Sequence, residues 1–189
     1  DVSTGEFSVT ELTGPNALEK VIDELSRLNP AEILLDNETK EIAKVMDFIE
    51  AQLNPSLSDI EEKFSRAEAY ELLTDHFNTV SLEGFGCEEM KAAVYAAGQV
   101  LAYLGETQKR TVNQITALKA YHLEDYMVLD SASRRNLELT STIRDNQRSG
   151  SLLSIVDQTV TSMGGREIKK WINQPLIQKE EIVKRHQAL

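Results

Sequence analysis

The chain has 189 residues, of which 41% are hydrophobic, which is enough for one large or two small folded domains. No apolar run reaches the roughly 18 residues that a transmembrane helix needs, so the composition argues against a membrane protein. The net charge of −11 is concentrated in residues 1–104, whose 21 acidic and 7 basic side chains would repel a phosphate backbone and favour protein partners, whereas residues 105–189 hold 10 acidic and 13 basic side chains.

The first segment carries the signals of a hairpin followed by a helix. The Ser-Thr-Gly turn at residues 3–5 separates Asp1–Val2 from the loosely alternating residues 7–12, and these two segments are predicted to be the arms of a hairpin. Gly14-Pro15 then breaks the strand, and Asn16 and Glu19 have the spacing of a capping box at the start of a helix. The predicted apolar face of this helix consists of Leu18, Val21, Ile22, Leu25 and Leu28.

A strand and a second helix follow. Residues 32–36, Glu-Ile-Leu-Leu-Asp, predict a short buried strand, and Thr39 is predicted to open a helix that ends at Asn54-Pro55. The apolar positions of that helix are Ile42, Val45, Met46, Ile49 and Leu53. The order strand, helix, strand, helix predicts a mostly parallel sheet that the N-terminal hairpin extends, which makes a mixed sheet with flanking helices.

Two further helices complete the first part. Ser65 and Glu68 again have capping-box spacing, and the helix that they start is expected to turn Tyr70, Leu73 and Phe77 inward. After the loop at residues 81–86, a long helix is predicted from about 87 to 104, with Gly105 as its C-terminal cap. Its small residues should allow close approach to a neighbouring helix; they are Ala92, Ala93, Ala96, Ala97 and Gly98. Residues 105–119 lack clean periodicity and are interpreted as a linker.

The second part is predicted to be helical, with little core of its own. After an extended piece at about 121–129, helices are predicted near 132–141, 151–158 and 163–173, and a last one from Lys179. Apolar side chains would then remain in need of partners, namely Leu152, Ile155, Val156 and Trp171. The predicted domains are residues 1–108 and 109–189.

Several segments together carry a resemblance to a known family. They are Asp1-Val-Ser-Thr-Gly-Glu-Phe7, Ser81-Leu-Glu-Gly-Phe-Gly86, the Thr-Gln-Lys ending at Lys109, residues 125–139 with their Arg-Arg-Asn-Leu-Glu-Leu ending, and residues 151–176. In this order they resemble the bacterial type of the MutS family of DNA mismatch-repair proteins. The resemblance implies a ribonuclease H-like α/β connector domain at residues 1–108, followed by the first, all-α part of the core domain at 109–189.

The resemblance also implies a function. A complete protein of this family binds mismatched duplex DNA, works with its other domains and as a homodimer, and uses ATP and Mg²⁺ to signal repair in the bacterial cytoplasm. The connector couples the domains and helps to dock a MutL-like protein. A chain that corresponds to this part is expected to be non-catalytic, with no catalytic, cofactor-binding or metal-binding residues of its own.

Motifs for nucleotide binding and mismatch reading are weak. A phosphate-binding loop requires Gly-x-x-x-x-Gly-Lys-Ser/Thr, which the chain lacks, and Gly164-Gly165-Arg166 is interpreted as a crowded helix entry instead. Phe48-Ile49-Glu50 matches the Phe-x-Glu motif of the family, in which the phenylalanine ring inserts into the base stack of the DNA. It lies inside an amphipathic helix of the connector-like part, so it is interpreted as a chance match.

The implied ribonuclease H-like fold leaves an alternative open, a metal-dependent nuclease. Such a site gathers carboxylates from different elements around two metal ions, and Asp1, Glu19 or Glu24, and Asp36 could supply them. Against this, Glu19 fits helix capping, Asp36 fits a turn or a cap, and Glu24 with Asp23 fits an exposed helix face. The structural roles are favoured.

The remaining candidates also favour structural roles. His76, His122 and His186 lie far apart in sequence and lack partners at zinc-ligand spacing, and Trp171 is interpreted as a packed helix anchor. Arg134-Arg135 and Arg144 with Arg148 could contact a phosphate backbone, but helix-surface and interdomain ion pairs are commoner. The single cysteine, Cys87, excludes an internal disulfide, and its place near a predicted helix start makes a lowered thiol pKa conceivable.

Overall fold

The computed structural model describes residues 1–2, 4–60, 65–107 and 112–187. The chain divides into two compact units, of which unit 1 comprises Asp1–Val21 and Asn29–His122, and unit 2 comprises Ile22–Leu28 and Leu123–Leu189. Unit 1 therefore extends beyond the predicted domain boundary between residues 108 and 109. The boundary itself lies outside the described residues, as does the Gln-Lys pair that ends the predicted Thr-Gln-Lys segment.

Strands and helices alternate through unit 1. Its strands are β1 (Phe7–Val9), β2 (Glu32–Leu35), β3 (Ser56–Asp59) and β4 (Leu118–Ala120). The helices that begin before residue 108 are α1 (Ala17–Leu28), whose last seven residues belong to unit 2, α2 (Asn37–Lys40), α3 (Ala43–Gln52), α4 (Arg66–Phe77) and α5 (Lys91–Thr107). A short 3₁₀ helix, Glu83–Phe85, lies in the loop before α5. The predicted α/β character of this part is confirmed.

The strands of unit 1 pair in parallel. β2, which the sequence predicts, pairs with β3 from Glu32↔Ser56 to Leu35↔Asp59. β1 pairs with β4 from Phe7↔Leu118 to Val9↔Ala120, so the predicted hairpin with Asp1–Val2 is wrong. The predicted mixed sheet is wrong as well, because the described strands form two separate two-stranded parallel sheets. The described part of the predicted turn agrees with a turn, because Thr4 N donates to Asp1 O at 3.3 Å and Gly5 has φ +72°. The turn leads into β1, and Asp1–Val2 do not form a strand.

Side-chain caps determine where several helices begin. Ser65 and Glu68 form the predicted capping box, in which the Ser65 hydroxyl accepts from Glu68 N and the Glu68 carboxylate accepts from Ser65 N. Asp36 caps α2 by accepting from Thr39 N at 2.7 Å, so Thr39 lies inside a short helix and the apolar helix begins separately at Ala43. α5 begins only at Lys91, where the Glu11 carboxylate accepts from Ala92 N.

The core of unit 1 lies around α4 and α5. The predicted close approach is confirmed, because a Cβ added to Gly98 of α5 would lie 2.6 Å from Ala69 Cβ of α4. Ile115 and Leu118 are buried in the same core, so the interpretation of residues 105–119 as a linker is wrong where the chain is described. Gly105 also lies inside α5 and not at its cap. A segment with weak periodicity thus supplies both a core residue and the β4 strand.

Unit 2 is helical. Its further helices are α6 (Ser131–Asn136), α7 (Leu152–Val156), α8 (Ser162–Asn173) and α9 (Lys179–Gln187). α6 and α7 are shorter than predicted, whereas α8 begins one residue earlier than predicted and α9 begins at the predicted residue. The predicted extended piece is instead a 3₁₀ helix, Leu123–Asp125, followed by a single antiparallel bridge from Tyr126 to Leu176. Ile155 is 69% exposed and Leu152 and Val156 are 42% exposed, which confirms that unit 2 leaves apolar surface uncovered.

Candidate functional site

The second half of α1 carries a set of charged side chains that unit 2 uses directly. Glu24 is buried, and its carboxylate accepts two hydrogen bonds from the Arg27 guanidinium, at 2.8 Å from Nε and 2.5 Å from Nη2. Asp23 accepts from Ser131 N at 2.9 Å, at the beginning of α6. The interpretation of Asp23 and Glu24 as an exposed helix face is therefore wrong. The apolar face of α1 is itself only partly covered, since Leu28 is 52% exposed.

Arg134 is the cation at the centre of this region. Its Nε donates to Leu129 O at 3.0 Å, and its Nη1 donates to Asn173 O at 2.8 Å and to Asn173 Oδ1 at 3.2 Å. Asn173, at the end of α8, is buried. The planar guanidinium thus ties α6 to the end of α8 through a geometry that a lysine cannot reproduce. The structure gives Arg134 a structural role, as the sequence favours, but through hydrogen bonds inside unit 2 and not through the expected surface or interdomain ion pair.

We call Asp23, Glu24, Arg27, Arg134 and Asn173 the Arg134 cluster. Burial lowers the pKa of Arg134 and neighbouring Arg27 lowers it further, whereas Glu24 and Asp23 raise it. Glu24 pairs with Arg27, and this pairing offsets part of the cost of removing the two charges from water. The cluster holds segments together and presents no group placed for a reaction. Sequence reasoning missed it because nothing in the spacing of Asp23, Arg134 and Asn173 indicates that they meet.

Gly164 and Gly165 lie in the first turn of α8 and make the crowded helix entry that the sequence predicts. The Thr161 hydroxyl caps the helix by accepting from Gly164 N at 3.1 Å. A Cβ on Gly164 would lie 3.0 Å from Thr159 Cβ, and one on Gly165 would lie 3.4 Å from Thr159 Oγ1. The two glycines therefore give room to the preceding loop, in which Asp157 accepts from Thr159 N at 3.0 Å.

The Phe-x-Glu letters are part of a core helix. Phe48 and Ile49 are both buried in α3, and Glu50 is exposed. A ring that intercalates between bases has to project from the surface. The burial of Phe48 supports the interpretation of this sequence as a chance match.

The carboxylates considered for a nuclease have separate partners. Glu19 binds Lys44 at 2.5 Å, Glu24 binds Arg27, and Asp36 caps α2. Lys44 also lowers the pKa of Glu19, mainly through their hydrogen bond. Within the described ranges no three His, Cys, Asp or Glu side chains come together in a manner that could hold a metal ion. The nuclease alternative gains no support from this arrangement.

The histidines and the cysteine also have local surroundings. His76 Nε2 lies 2.7 Å from Ile115 O in unit 1, His122 is exposed there, and His186 is exposed in α9 of unit 2. Cys87 is fully buried in the core of unit 1 and precedes α5 by several residues. Burial raises the pKa of the Cys87 thiol, and Glu88 raises it further, so the conceivable lowering of that pKa is wrong.

The other side chains singled out in unit 2 make surface contacts. Arg148 pairs with Asp157, while Arg135 and Arg144 are exposed. Trp171 is half-buried, with the Arg185 guanidinium 4.7 Å from its ring centroid. This stacking contact supports the interpretation of Trp171 as a packed helix anchor.

Comparison with known families agrees with this arrangement of an α/β unit and a helical unit. Residues 1–116 match the family profile described as MutS domain II, and residues 132–189 match MutS domain III. The chain belongs to the MutS family. The segments that resemble this family in sequence lie within or next to these two matches, so the predicted family is confirmed.

Curated relatives extend the comparison to the whole chain. The DNA mismatch repair protein MutS of Halothermothrix orenii is 50% identical over 193 residues, an alignment that covers 100% of this chain and 21% of that protein. Those of Symbiobacterium thermophilum and Thermosynechococcus vestitus are 42% and 43% identical, again over 100% of this chain and 22% of each relative. The chain thus spans about a fifth of the length of the MutS relatives that it matches. Among the described residues, no helix is both long and apolar enough to cross a bilayer.

Proposed function

We propose that this chain is a non-catalytic connector and the beginning of the core of a MutS-type mismatch-repair protein. It couples the domains of that protein and contributes to the surface on which a MutL-like protein docks. The observation that carries this proposal is the alignment of MutS domains II and III in order along one chain, with 50% identity over its full length to a protein named DNA mismatch repair protein MutS. A chain that matches two consecutive domains is suited to transmit changes between them.

The parent protein, in this proposal, binds mismatched duplex DNA and uses ATP and Mg²⁺ through parts outside domains II and III. It acts as a homodimer in the bacterial cytoplasm. Domain II adopts a ribonuclease H-like fold, a proposal supported by the parallel strand pairs β1–β4 and β2–β3 and the helices that alternate with them. The three relatives named above support the assignment to mismatch repair, because each is a DNA mismatch repair protein MutS.

Charge supports a protein partner for the first part of the chain. Residues 1–104 hold 21 acidic and 7 basic side chains, a balance of −14. Counterion release, which drives binding to DNA, requires clustered basic side chains on the protein. An acidic surface instead attracts a basic patch on another protein and speeds the encounter with it.

Binding to MutL tests the docking proposal. We expect the complete chain to bind the MutL protein of Halothermothrix orenii in a saturable manner that weakens as salt is raised, measured by biolayer interferometry. A basic protein of unrelated fold serves as the control for non-specific attraction. The docking proposal is wrong if MutL gives no saturable signal at about 100 μM, where even weak specific complexes form, or if the control binds equally well.

Measurements of nucleotide and DNA binding test the proposal that parts outside domains II and III bind ATP and mismatched DNA. Because the sequence lacks a phosphate-binding loop, calorimetry with Mg²⁺-ATP should detect no micromolar site. Matched and mismatched oligonucleotide duplexes should bind weakly and alike at physiological salt. A micromolar ATP site, or a preference of tenfold or more for the mismatch, would contradict the assignment of these activities to other parts of the parent.

A further inference from the structure

The Arg134 cluster joins sequence segments that the family comparison assigns to different domains. Asp23, Glu24 and Arg27 lie in the match to MutS domain II, whereas Arg134 and Asn173 lie in the match to MutS domain III. All of them nevertheless belong to the same compact unit, unit 2. We propose that the second half of α1, Ile22–Leu28, is the joint that ties the domain II sequence to the domain III sequence, with the hydrogen bond from Ser131 N to Asp23 as its anchor.

The hydrogen bonds at the start of α6 show why this joint is specific. A helix begins with backbone N–H groups that have no partner inside the helix. Asp130, the residue before α6, accepts from Ser133 N at 2.6 Å, and Asp23 of α1 accepts from Ser131 N at 2.9 Å. The local cap therefore satisfies one donor and the distant carboxylate satisfies another. Two carboxylates also complement the positive end of the helix dipole.

Charge acts beside this hydrogen bond. Arg134 is partly buried, and the negative charges of Glu24 and Asp23 of α1 favour its charged form, whereas burial and Arg27 oppose it. Arg134 in turn donates to Asn173 at the end of α8, so a change at Asp23 is expected to reach that helix end as well.

The residues that make the joint are the last seven of α1, Ile22–Leu28, and they belong to the same compact unit as α6 and α8. This inference rests on the proposed coupling function and names the residues through which the coupling passes.

Hydrogen–deuterium exchange of the complete chain tests the joint. Asp23→Ala should speed exchange about fivefold to tenfold in peptides that cover residues 131–137, because loss of a capping acceptor has an effect of that order. Exchange should also become faster, by a smaller factor, in peptides that cover residues 170–176, because Arg134 of α6 donates hydrogen bonds to Asn173. Glu19→Ala is the matched control, because it removes a carboxylate one turn earlier in the same helix whose partner is Lys44 in unit 1.

A conservative variant separates the joint from a general loss of stability. Asp23→Asn keeps an acceptor oxygen for Ser131 N but loses the negative charge, so it should restore part of the protection at residues 131–137. The proposal is overturned if Asp23→Ala leaves these peptides unchanged, if Glu19→Ala has the same effect on them, or if Asp23→Asn gives no rescue. The assay contains no MutL, so loss of the joint and failure of the docking proposal are recognised independently.

Discussion

Replacing Gly98 by alanine tests the close approach of α4 and α5 that organises unit 1. The new Cβ would lie 2.6 Å from Ala69 Cβ, 2.9 Å from Ala69 Cα and 3.0 Å from Ala69 O. Favourable carbon contacts lie at about 3.5–4.0 Å, so the helices must move apart. Overpacking of this kind costs about 1–3 kcal/mol. We expect the upper half of that range, because two of the three nearest atoms belong to the backbone of Ala69 and cannot rotate away. Alanine has a higher helix propensity than glycine, and this difference offsets about 1 kcal/mol of the cost.

The net expectation is a loss of about 1–2 kcal/mol in the free energy of unfolding. For a chain of 189 residues, each kcal/mol lowers Tm by roughly 2–4 °C. Urea and thermal unfolding followed by far-ultraviolet circular dichroism measure it. Gly105→Ala is the matched control, because Gly105 lies in the same helix and an added Cβ there meets nothing within 4 Å. That change should be neutral or stabilising, by up to about 1 kcal/mol. If Gly98→Ala is as stable as Gly105→Ala, the argument for close packing of α4 on α5 is refuted.

Three further predictions concern single side chains. Arg134→Lys should lower the free energy of unfolding of unit 2 by about 1–3 kcal/mol, since lysine cannot make all three hydrogen bonds. Trp171 fluorescence reports this transition. Arg135→Lys is the control, because Arg135 is exposed and its replacement should change the free energy of unfolding by no more than about 0.5 kcal/mol. Cys87 should react with a disulfide reagent only slowly before unfolding and rapidly in urea, because it is buried and its pKa is raised; rapid reaction in the native protein would contradict its burial. Hydrogen bonds from Ser133 lower the pKa of Asp130 in the folded chain. The Asp130 carboxylate therefore contributes its full stabilisation at pH values above the ordinary aspartate pKa of about 4. This contribution is lost as the pH falls through the lower pKa of the folded state. The stability difference between the wild-type chain and Asp130→Ala should therefore narrow in acid, and a difference that stays constant with pH would argue against the cap.

Local signals in the sequence predict the helices well. The pairing of Ser65 with Glu68 and the cap at Asp36 depend on residues within four positions of one another, and both are present. The small residues of α5 similarly indicate close packing without naming the partner. Such features are predictable because the interactions that produce them are local in sequence.

Features that depend on distant residues are the ones that the sequence did not reveal. β3 has the sequence Ser-Leu-Ser-Asp and is largely exposed, so it lacks the apolar alternation by which a strand is recognised. β4 forms because β1 is available to pair with it, and the pattern of residues 118–120 does not contain that information. Asp23 and Glu24 likewise have the composition of an exposed helix face, and only the partners brought by unit 2 give them an internal role.

The pairing of β1 with β4 has a consequence during synthesis. β1 leaves the ribosome about 110 residues before β4, which at about 5–20 residues per second corresponds to a delay of roughly 5–20 s. During that interval β1 presents backbone donors and acceptors that its native partner cannot yet reach, the kind of edge that other nascent chains can capture. The family match to domain II ends at residue 116, two positions before β4 begins. A gene fragment designed to that limit would keep β1 in this incomplete state permanently, whereas one that continues through Tyr121, whose N–H donates to Val9 O at 3.1 Å, would allow the pair to close.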